Sequence, residues 1–294
     1  MSEIRFAKKG EIARQKEIWK LCFGDSDQYI DFYYANRYKE DETLLLLQEG
    51  EIVSMLTILP IRVNTSTGQG LNSTMLYAIA THPKHQHRGY ASQLIESACC
   101  HLNQKNNVFS VLVPAGKKLF DYYRHQGFQD GFFIHEISFD WKRLELLPIV
   151  ENNCTIKSIS PQEYNMRREN QLSGKFYVSY TAEDIDYQRK LSQQSGADIY
   201  GIEIEGVQGC AVIELLDQGK VFIKELLIAD HLLPTAVRHI ARLLPSRKYI
   251  LRTPSFLGRQ LEGSIRPFGM IRANQGIPPE ITPEVFGYLG LAFD

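Results

Sequence analysis

Residues 80–95 read ATHPKHQHRGYASQLI, with three histidines and two cations crowded into seven positions ahead of a glycine and an apolar, helix-like run. Three chemistries draw on such residues. A metal site would use His82, His85 and His87 (H-x-x-H-x-H), but tetrahedral zinc needs a fourth ligand, and no carboxylate or cysteine lies close by in the sequence. A nucleic-acid interface would spread basic and aromatic residues over a surface, whereas these fall in one turn. An anion cradle fits better. A strand ending near Pro83, a loop of Gln86, His87, Arg88 and Gly89, and a helix starting near Tyr90 would aim unpaired N–H groups and the positive end of a helix dipole at one point. Gly89 removes a side chain where a ligand must approach, Ala91 keeps the next turn small, and His87 and Arg88 add positive charge. An ordinary strand-to-helix turn punctuated by glycine fits the same stretch.

The elements that must position this loop follow from periodicity. The pattern predicts strands at 3–7, 43–48, 51–63, 74–81, 109–113 and 132–139, and helices at 11–23, 27–38, from 89 onward, and 117–125. Residues 141–153 (WKRLELLPIVENN) carry a proline and no clean period. A similar order then restarts, with strands at 155–159, 199–205, 209–215, 221–228 and 249–253 and a last one near 267–271. Its helices start at 161 and span 182–193 and 232–244. Two helices, a meander of strands, a helix and a strand recur in both halves, a duplication of architecture without visible repetition of residues.

Gln86-His87-Arg88-Gly89-Tyr90-Ala91 resembles the Q/R-x-x-G-x-G/A signature of the Gcn5-related N-acetyltransferases, the GNAT superfamily. Thirty residues on, Tyr122 and Tyr123 with Gly127-Phe128 resemble the family's FY-x-x-x-GF motif. The resemblance covers residues 1 to about 140. It implies that the loop from Gln86 to Ala91 holds the pyrophosphate of acetyl-coenzyme A as cosubstrate, with no metal. It further implies that Ile79, Ala80 and Thr81 lie on a splayed strand pairing with the pantetheine arm, and that Tyr123 protonates the departing thiolate. A phenol with a pKa of about 10 is protonated at neutral pH and can serve as that acid. The fold expected is α+β: two tandem GNAT-like mixed-sheet domains, each a central mostly antiparallel sheet flanked by helices. The expected boundaries are 1–140, a linker at 141–153, and a degenerate second domain at 154–294. The layout resembles the Eis-type acetyltransferases without their sterol-carrier-like domain.

The second half's counterpart of the loop, residues 229–238 (ADHLLPTAVR), lacks the signature, and Asp230 would repel phosphate. Strand 74–81 has no Asp or Glu to act as general base. The remaining candidates are relayed water, His82, and the terminal carboxylate of Asp294 after the apolar run 288–293. By the resemblance, helix 27–38 lies near the acceptor, where Asp31 and the tyrosines could receive a cationic amine. Packing of that helix on the sheet is the better account of most of these residues.

With 294 residues, 44% of them hydrophobic, the chain suits two domains. A formal net charge of −1 supplies no global field for nucleic acid or an anionic membrane. Five cysteines without framework spacing, a charged N-terminus and no apolar run long enough for a membrane span point to reduced thiols and a cytoplasmic setting. The expectation is an N-acetyltransferase that moves an acetyl group directly, in a ternary complex, to a primary amine of a small molecule or peptide. It would have no nucleic-acid or membrane partner, and a homo-oligomer is compatible with the sequence. The alternative is a non-catalytic acyl-coenzyme A sensor that keeps the fold.

Overall fold

The computed structural model describes residues 2–148, 154–216, 219–274 and 286–293. Its contacts divide the chain into two compact units. Among the described residues the first unit holds 2–62, 71–129 and 270–274, and the second holds the remainder.

In the first unit, β1 (Ser2–Phe6), β2 (Thr43–Gln48), β3 (Glu51–Asn64), β4 (Gly70–Thr81) and β5 (Phe109–Leu112) lie side by side in that order. The pairs β1–β2 and β2–β3 are antiparallel, and β4–β5 is parallel. Helices α1 (Ile12–Phe23) and α2 (Asp27–Asn36) precede β2, and α2 is capped where the Ser26 hydroxyl accepts from Tyr29 N–H. Helix α3 (Tyr90–Gln104) follows β4 and turns Leu94, Ile95, Ala98, Cys99 and Leu102 inward, the stripe that a 3.6-residue period requires. These side chains pack with Leu44, Leu56, Leu76 and Leu112 of the sheet and Tyr123 of α4 (Lys117–His125). Each fully buried Leu or Ile contributes roughly 1.5–3 kcal/mol.

The second unit contains β6 (Gln129–Asp140), α5 (Trp141–Glu145), β7 (Cys154–Ser158), α6 (Pro161–Leu172), β8 (Tyr177–Ser179), α7 (Ala182–Gln194), β9 (Ile199–Ile204), β10 (Val207–Leu216), β11 (Lys220–Leu227), α8 (Leu233–Leu243), β12 (Lys248–Pro254) and the start of β13 (Ser264–Ala273). Its sheet runs β6-β12-β11-β10-β9-β7, antiparallel except for β11–β12. Each unit is therefore α+β, with one parallel pair in a largely antiparallel sheet.

The division does not follow chain order, unlike the boundaries expected at 140 and 154. Strand β6 pairs β12 from Asp140↔Lys248 to Ile134↔Pro254, and its Ile137 and Phe139 sink into the second core. The place this leaves beside β5 is taken by the end of β13, where Met270↔Leu112 to Ala273↔Phe109 pair antiparallel and Met270 joins the first core. Alternating apolar strands satisfy either neighbour, so local pattern could not assign them.

The apolar run near the chain's end is built into the second unit. Gly287 and Tyr288 bridge Phe132 and Tyr177, and 288–293 is buried. Arg168 and Glu225, both inaccessible to solvent, form an ion pair with Nε 2.9 Å from Oε2. Arg168 also donates to the carbonyls of Val178 and Leu289, at 2.7 and 3.2 Å. Tyr180 donates to Leu289 and Leu291. Such a pair adds little net stability, but disturbing one partner leaves a charge stranded in the core. Gly290 sits at φ +74°, and a Cβ there would overlap Glu225 Oε1 and stand 2.9 Å from Arg168 Nη2. Gly290→Ala is expected to cost roughly 3 kcal/mol and lower the thermal midpoint by about 6–12 °C. A midpoint unchanged in a thermal melt would show that the segment does not depend on this glycine.

Candidate functional site

Strand β4 shares only three pairs with β5, Ser73↔Phe109, Thr74↔Ser110 and Met75↔Val111. Beyond Met75 it runs on to Thr81, while β5 stops at Leu112. Inside the stretch that has left β5, Ala78 holds φ +48°, a left-handed conformation that L-residues rarely adopt. As a result Leu76 and Ile79, three residues apart, both pack toward the α3 core, which strict alternation would forbid. The end of the strand is braced toward β3. The Ser54 hydroxyl donates to Ala80 O at 2.8 Å and contacts Thr81 Oγ1 at 2.8 Å, and His82 N–H donates to Val53 O at 2.9 Å.

After Thr81 comes one turn of 3-10 helix, Pro83–His85. His82 caps it: Nδ1 accepts from Lys84 N–H at 3.2 Å, which leaves the ring hydrogen on Nε2, 3.9 Å from Glu17 Oε1. Burial holds the His82 pKa below its ordinary value. As the cap of a turn, this histidine already has its acceptor nitrogen occupied. The chain then reverses through His87 (φ +61°) and Gly89 (φ +78°), and Gln93 N–H to Gly89 O, 3.0 Å, is the first bond of α3. Among the described residues, the N–H groups of His87, Arg88, Gly89, Tyr90, Ala91 and Ser92 have no acceptor, and the loop from Gln86 to Gly89 is exposed. A Cβ on Gly89 would meet nothing within 4 Å, so glycine is needed there for its φ and for the open approach. Gln86 folds back, and its Nε2 donates to Thr81 O at 3.1 Å. Cys22 Sγ donates to the same oxygen at 3.2 Å.

Tyr123 lies on α4 with its ring against Tyr122 (5.1 Å between centroids) and Phe128 (6.0 Å). It is 7% exposed. Burial, followed by the neighbouring Tyr122, pushes its phenol well above the ordinary tyrosine range. Tyr122 touches the first turn of α3, with its hydroxyl 3.0 Å from Ser92 Oγ. Gly127 (φ +82°) ends α4, and Phe128 N–H donates to Tyr123 O at 3.1 Å. On the other face of β4, Trp19 and Tyr33 pack on Tyr77 at 5.8 and 5.7 Å, and the Tyr29 and Tyr77 hydroxyls are 3.3 Å apart.

The structure thus brings together Ile79, Ala80, Thr81 and the loop from Gln86 to Ala91. Tyr123 shares the α3-side core with Leu76 and Ile79. Asp294 lies outside the described residues. Asp31 does not enter the aromatic cluster, being exposed and paired with Lys16 at 2.7 Å. Sequence reasoning missed Ala78 and Tyr77. Alanine carries no mark of a kink, and the only signal was the three-residue spacing of Leu76 and Ile79. Among the described residues, no three His, Cys, Asp or Glu side chains form a metal-ligand group, and no helix is long and apolar enough to cross a membrane.

The corresponding turn of the second unit starts alike. Ala229 (φ −50°, ψ 134°) matches His82 (φ −49°, ψ 133°), and each leads into a three-residue 3-10 turn. There the likeness stops. The turn Asp230–Leu232 runs straight into α8, whose first residues are buried, with Thr235 Oγ1 donating to Pro148 O at 3.4 Å. Asp230 Oδ1 accepts from Gly258 N–H at 2.6 Å. Exposed amides like those of the first unit have no equivalent at this turn.

Residues 3–130 match the family model described as acetyltransferase (GNAT) domain. No curated protein matches the sequence. Among solved structures, a GCN5-related N-acetyltransferase from Anabaena variabilis is similar over 94% of this chain and 73% of its own, at 15% identity and a TM-score of 0.73. Eis1 from Mycobacterium abscessus matches 93% of this chain and 74% of its own, at 14% identity and a TM-score of 0.69. A tandem GNAT protein from the clavulanic acid biosynthesis pathway matches 95% of this chain and all of its own, at 12% identity and a TM-score of 0.56. These likenesses concern the fold. The kinked strand and the glycine-turned loop lie within residues 3–130, the part that matches the GNAT domain model, and the fold of the chain is like that of these GNAT structures, a tandem one among them.

Proposed function

We propose that the chain is an acetyl-coenzyme A dependent N-acetyltransferase acting on a primary amine of a small molecule or peptide. The observation that carries this reading is the run of six acceptor-free N–H groups, His87 to Ser92, at the start of α3 beside the stretch of β4 that has left β5. Amides of this kind at a helix N-terminus suit a pyrophosphate, with His87 and Arg88 at its edge. The stretch Ile79 to Thr81, which no longer pairs with β5, suits the amide-bearing pantetheine arm through the backbone groups that Ser54, Gln86 and Cys22 do not already hold, as an added strand pairs with a sheet edge. In the transfer, the amine nitrogen attacks the thioester carbonyl and gives up a proton to water, the C–S bond breaks, and Tyr123 gives its proton to the thiolate and is then reprotonated from water. Direct transfer is favoured because burial raises the thiols of Cys22, Cys99, Cys154 and Cys210 above their ordinary values, the reverse of what an acyl-carrying cysteine needs.

Thiol release from acetyl-coenzyme A across a panel of amines tests the activity. Tight binding of the cosubstrate with no amine turned over would favour the sensor instead. Gly89→Val, which forces a β-branched residue to φ +78°, is expected to weaken coenzyme A binding at least about tenfold in a calorimetric titration. Equal affinity would remove the loop from the donor site. Tyr123→Phe is expected to lower kcat about 100-fold with KM for acetyl-coenzyme A little changed, and unchanged turnover would sink its role as the acid. Because its pKa is raised, Tyr123 stays protonated through neutral pH and beyond. Turnover should therefore show no alkaline decline below about pH 9. A descending limb below that pH, absent in Tyr123→Phe, would contradict the raised value.

A further inference from the structure

We infer that Arg272, brought by β13 from the far end of the chain, is a positioning residue for Tyr123: it ties the end of α4 to α3 and so sets where the phenol stands relative to the donor loop. The inference rests on the reading of Tyr123 as the acid. It adds a residue outside the stretch 3–130 that the GNAT domain model matches. Arg272 lies in the part of β13 that belongs to the first unit.

The need for such a residue follows from α4 itself. With nine residues it is too short to be stable by local propensity, so its order and its place depend on packing. Gly116, at its N-terminus, has no side chain to cap it. Among the described residues of the helix only Tyr123 is buried, with Phe120 and Tyr122 half-buried against the same core. Polar ties to its neighbours must therefore do much of the placing, and two of them fall close to Tyr123. One joins the Tyr122 hydroxyl to Ser92 Oγ in the first turn of α3, at 3.0 Å.

The other comes from Arg272. Strand alternation puts Met270 and Arg272 on one face of β13, and Met270 packs in the α3 core with Tyr123 and Phe128. Arg272 Nη1 donates to Gln126 O at 3.1 Å and to Glu96 Oε2 of α3 at 3.0 Å. Gln126 N–H in turn donates to Tyr123 O at 2.9 Å, so the guanidinium stands two hydrogen bonds from the Tyr123 backbone. Arg272 Nε and Cδ lie 3.6 and 3.7 Å from where a Cβ on Gly127 would stand, so its stem covers the left-handed turn that ends α4. Phe128 leaves that turn and packs on the Tyr123 ring at 6.0 Å. A shift of the turn therefore carries the ring with it. Stability alone gives little reason for the arrangement, since the Glu96 side chain is 67% exposed and an ion pair so placed contributes little. A misplacement of about 1 Å, by contrast, can cost about 100-fold in rate.

The test uses the full-length protein with Arg272→Met, which keeps the stem and removes the donors, and Arg272→Lys, which keeps a donor. In protein labelled with 3-fluorotyrosine, the fluorine resonance of Tyr123 is identified by its loss in Tyr123→Phe. That resonance is expected to move in Arg272→Met and to return toward its first position in Arg272→Lys, with the thermal midpoint of both variants within about 4 °C of the parent. A resonance unmoved in Arg272→Met overturns the inference. So does one that moves together with those of the second unit's tyrosines, the mark of a general loosening. Thiol release from acetyl-coenzyme A, with the best acceptor of the amine panel, is expected to fall about tenfold in kcat for Arg272→Met, with KM for acetyl-coenzyme A within about twofold. Arg272→Lys should recover kcat to within about threefold. In a Tyr123→Phe background, Arg272→Met should change kcat less than about twofold, because both substitutions act on one proton transfer. A full tenfold loss there shows that Arg272 acts other than through Tyr123, and overturns the inference. Absence of coenzyme A binding, or of turnover on any amine, would instead defeat the donor or the enzyme reading, and the resonance in the free proteins would still decide on Arg272.

Discussion

A parallel pair of strands that separates must leave backbone groups without partners on both edges, and the first unit depends on how that separation is managed. β4 leaves β5 after three shared pairs. Its far edge is kept in place from the other side, by Ser54 at Ala80 and Thr81 and by Val53 at His82. The kink at Ala78 costs on the order of 1–3 kcal/mol, and it persists because both neighbours of the strand are set by packed cores. Without that bracing, the unladdered edge would be a site for unplanned pairing.

The same bracing couples the strand to the loop. Thr81 O collects Gln86 Nε2 and Cys22 Sγ, so the strand end, the loop and the end of α1 share one oxygen. His82 then starts the 3-10 turn that directs the chain into α3. In the second unit a matching turn without the four extra loop residues buries the helix start under its own chain. The two turns differ in whether a helix N-terminus faces solvent or protein, and that decides which of them can host an anion.

Much of this was legible from the residues alone. Gly89 announces a left-handed turn, and the spacing of Leu94, Ile95, Ala98 and Leu102 announces the helix behind it. The order of elements in both halves carried the duplication, and the resemblance of the motifs carried the fold class. What stayed hidden was set by tertiary context. An alanine at φ +48° looks like any other alanine. His82, a candidate base by type, proved to be a turn cap because of where Lys84 N–H falls. In the aromatic helix expected at 27–38, packing on the sheet was the better reading but could not be assigned residue by residue, and Tyr33, buried with its hydroxyl on Thr57, is one residue that follows it. The edge of β5 could not be matched to β13 from pattern, since 164 residues separate Phe109 from Ala273.

That last pairing bears on synthesis. A chain made from its N-terminus at about 5–20 residues per second ordinarily folds its first domain while the rest is still being made. Here β5 waits for residues 270–273 to emerge before its open edge is covered and Met270 completes the core. The first unit, although it contains the loop and Tyr123, therefore finishes folding among the last parts of the molecule. In the interval its bare edge is what a nascent-chain chaperone would have to shield.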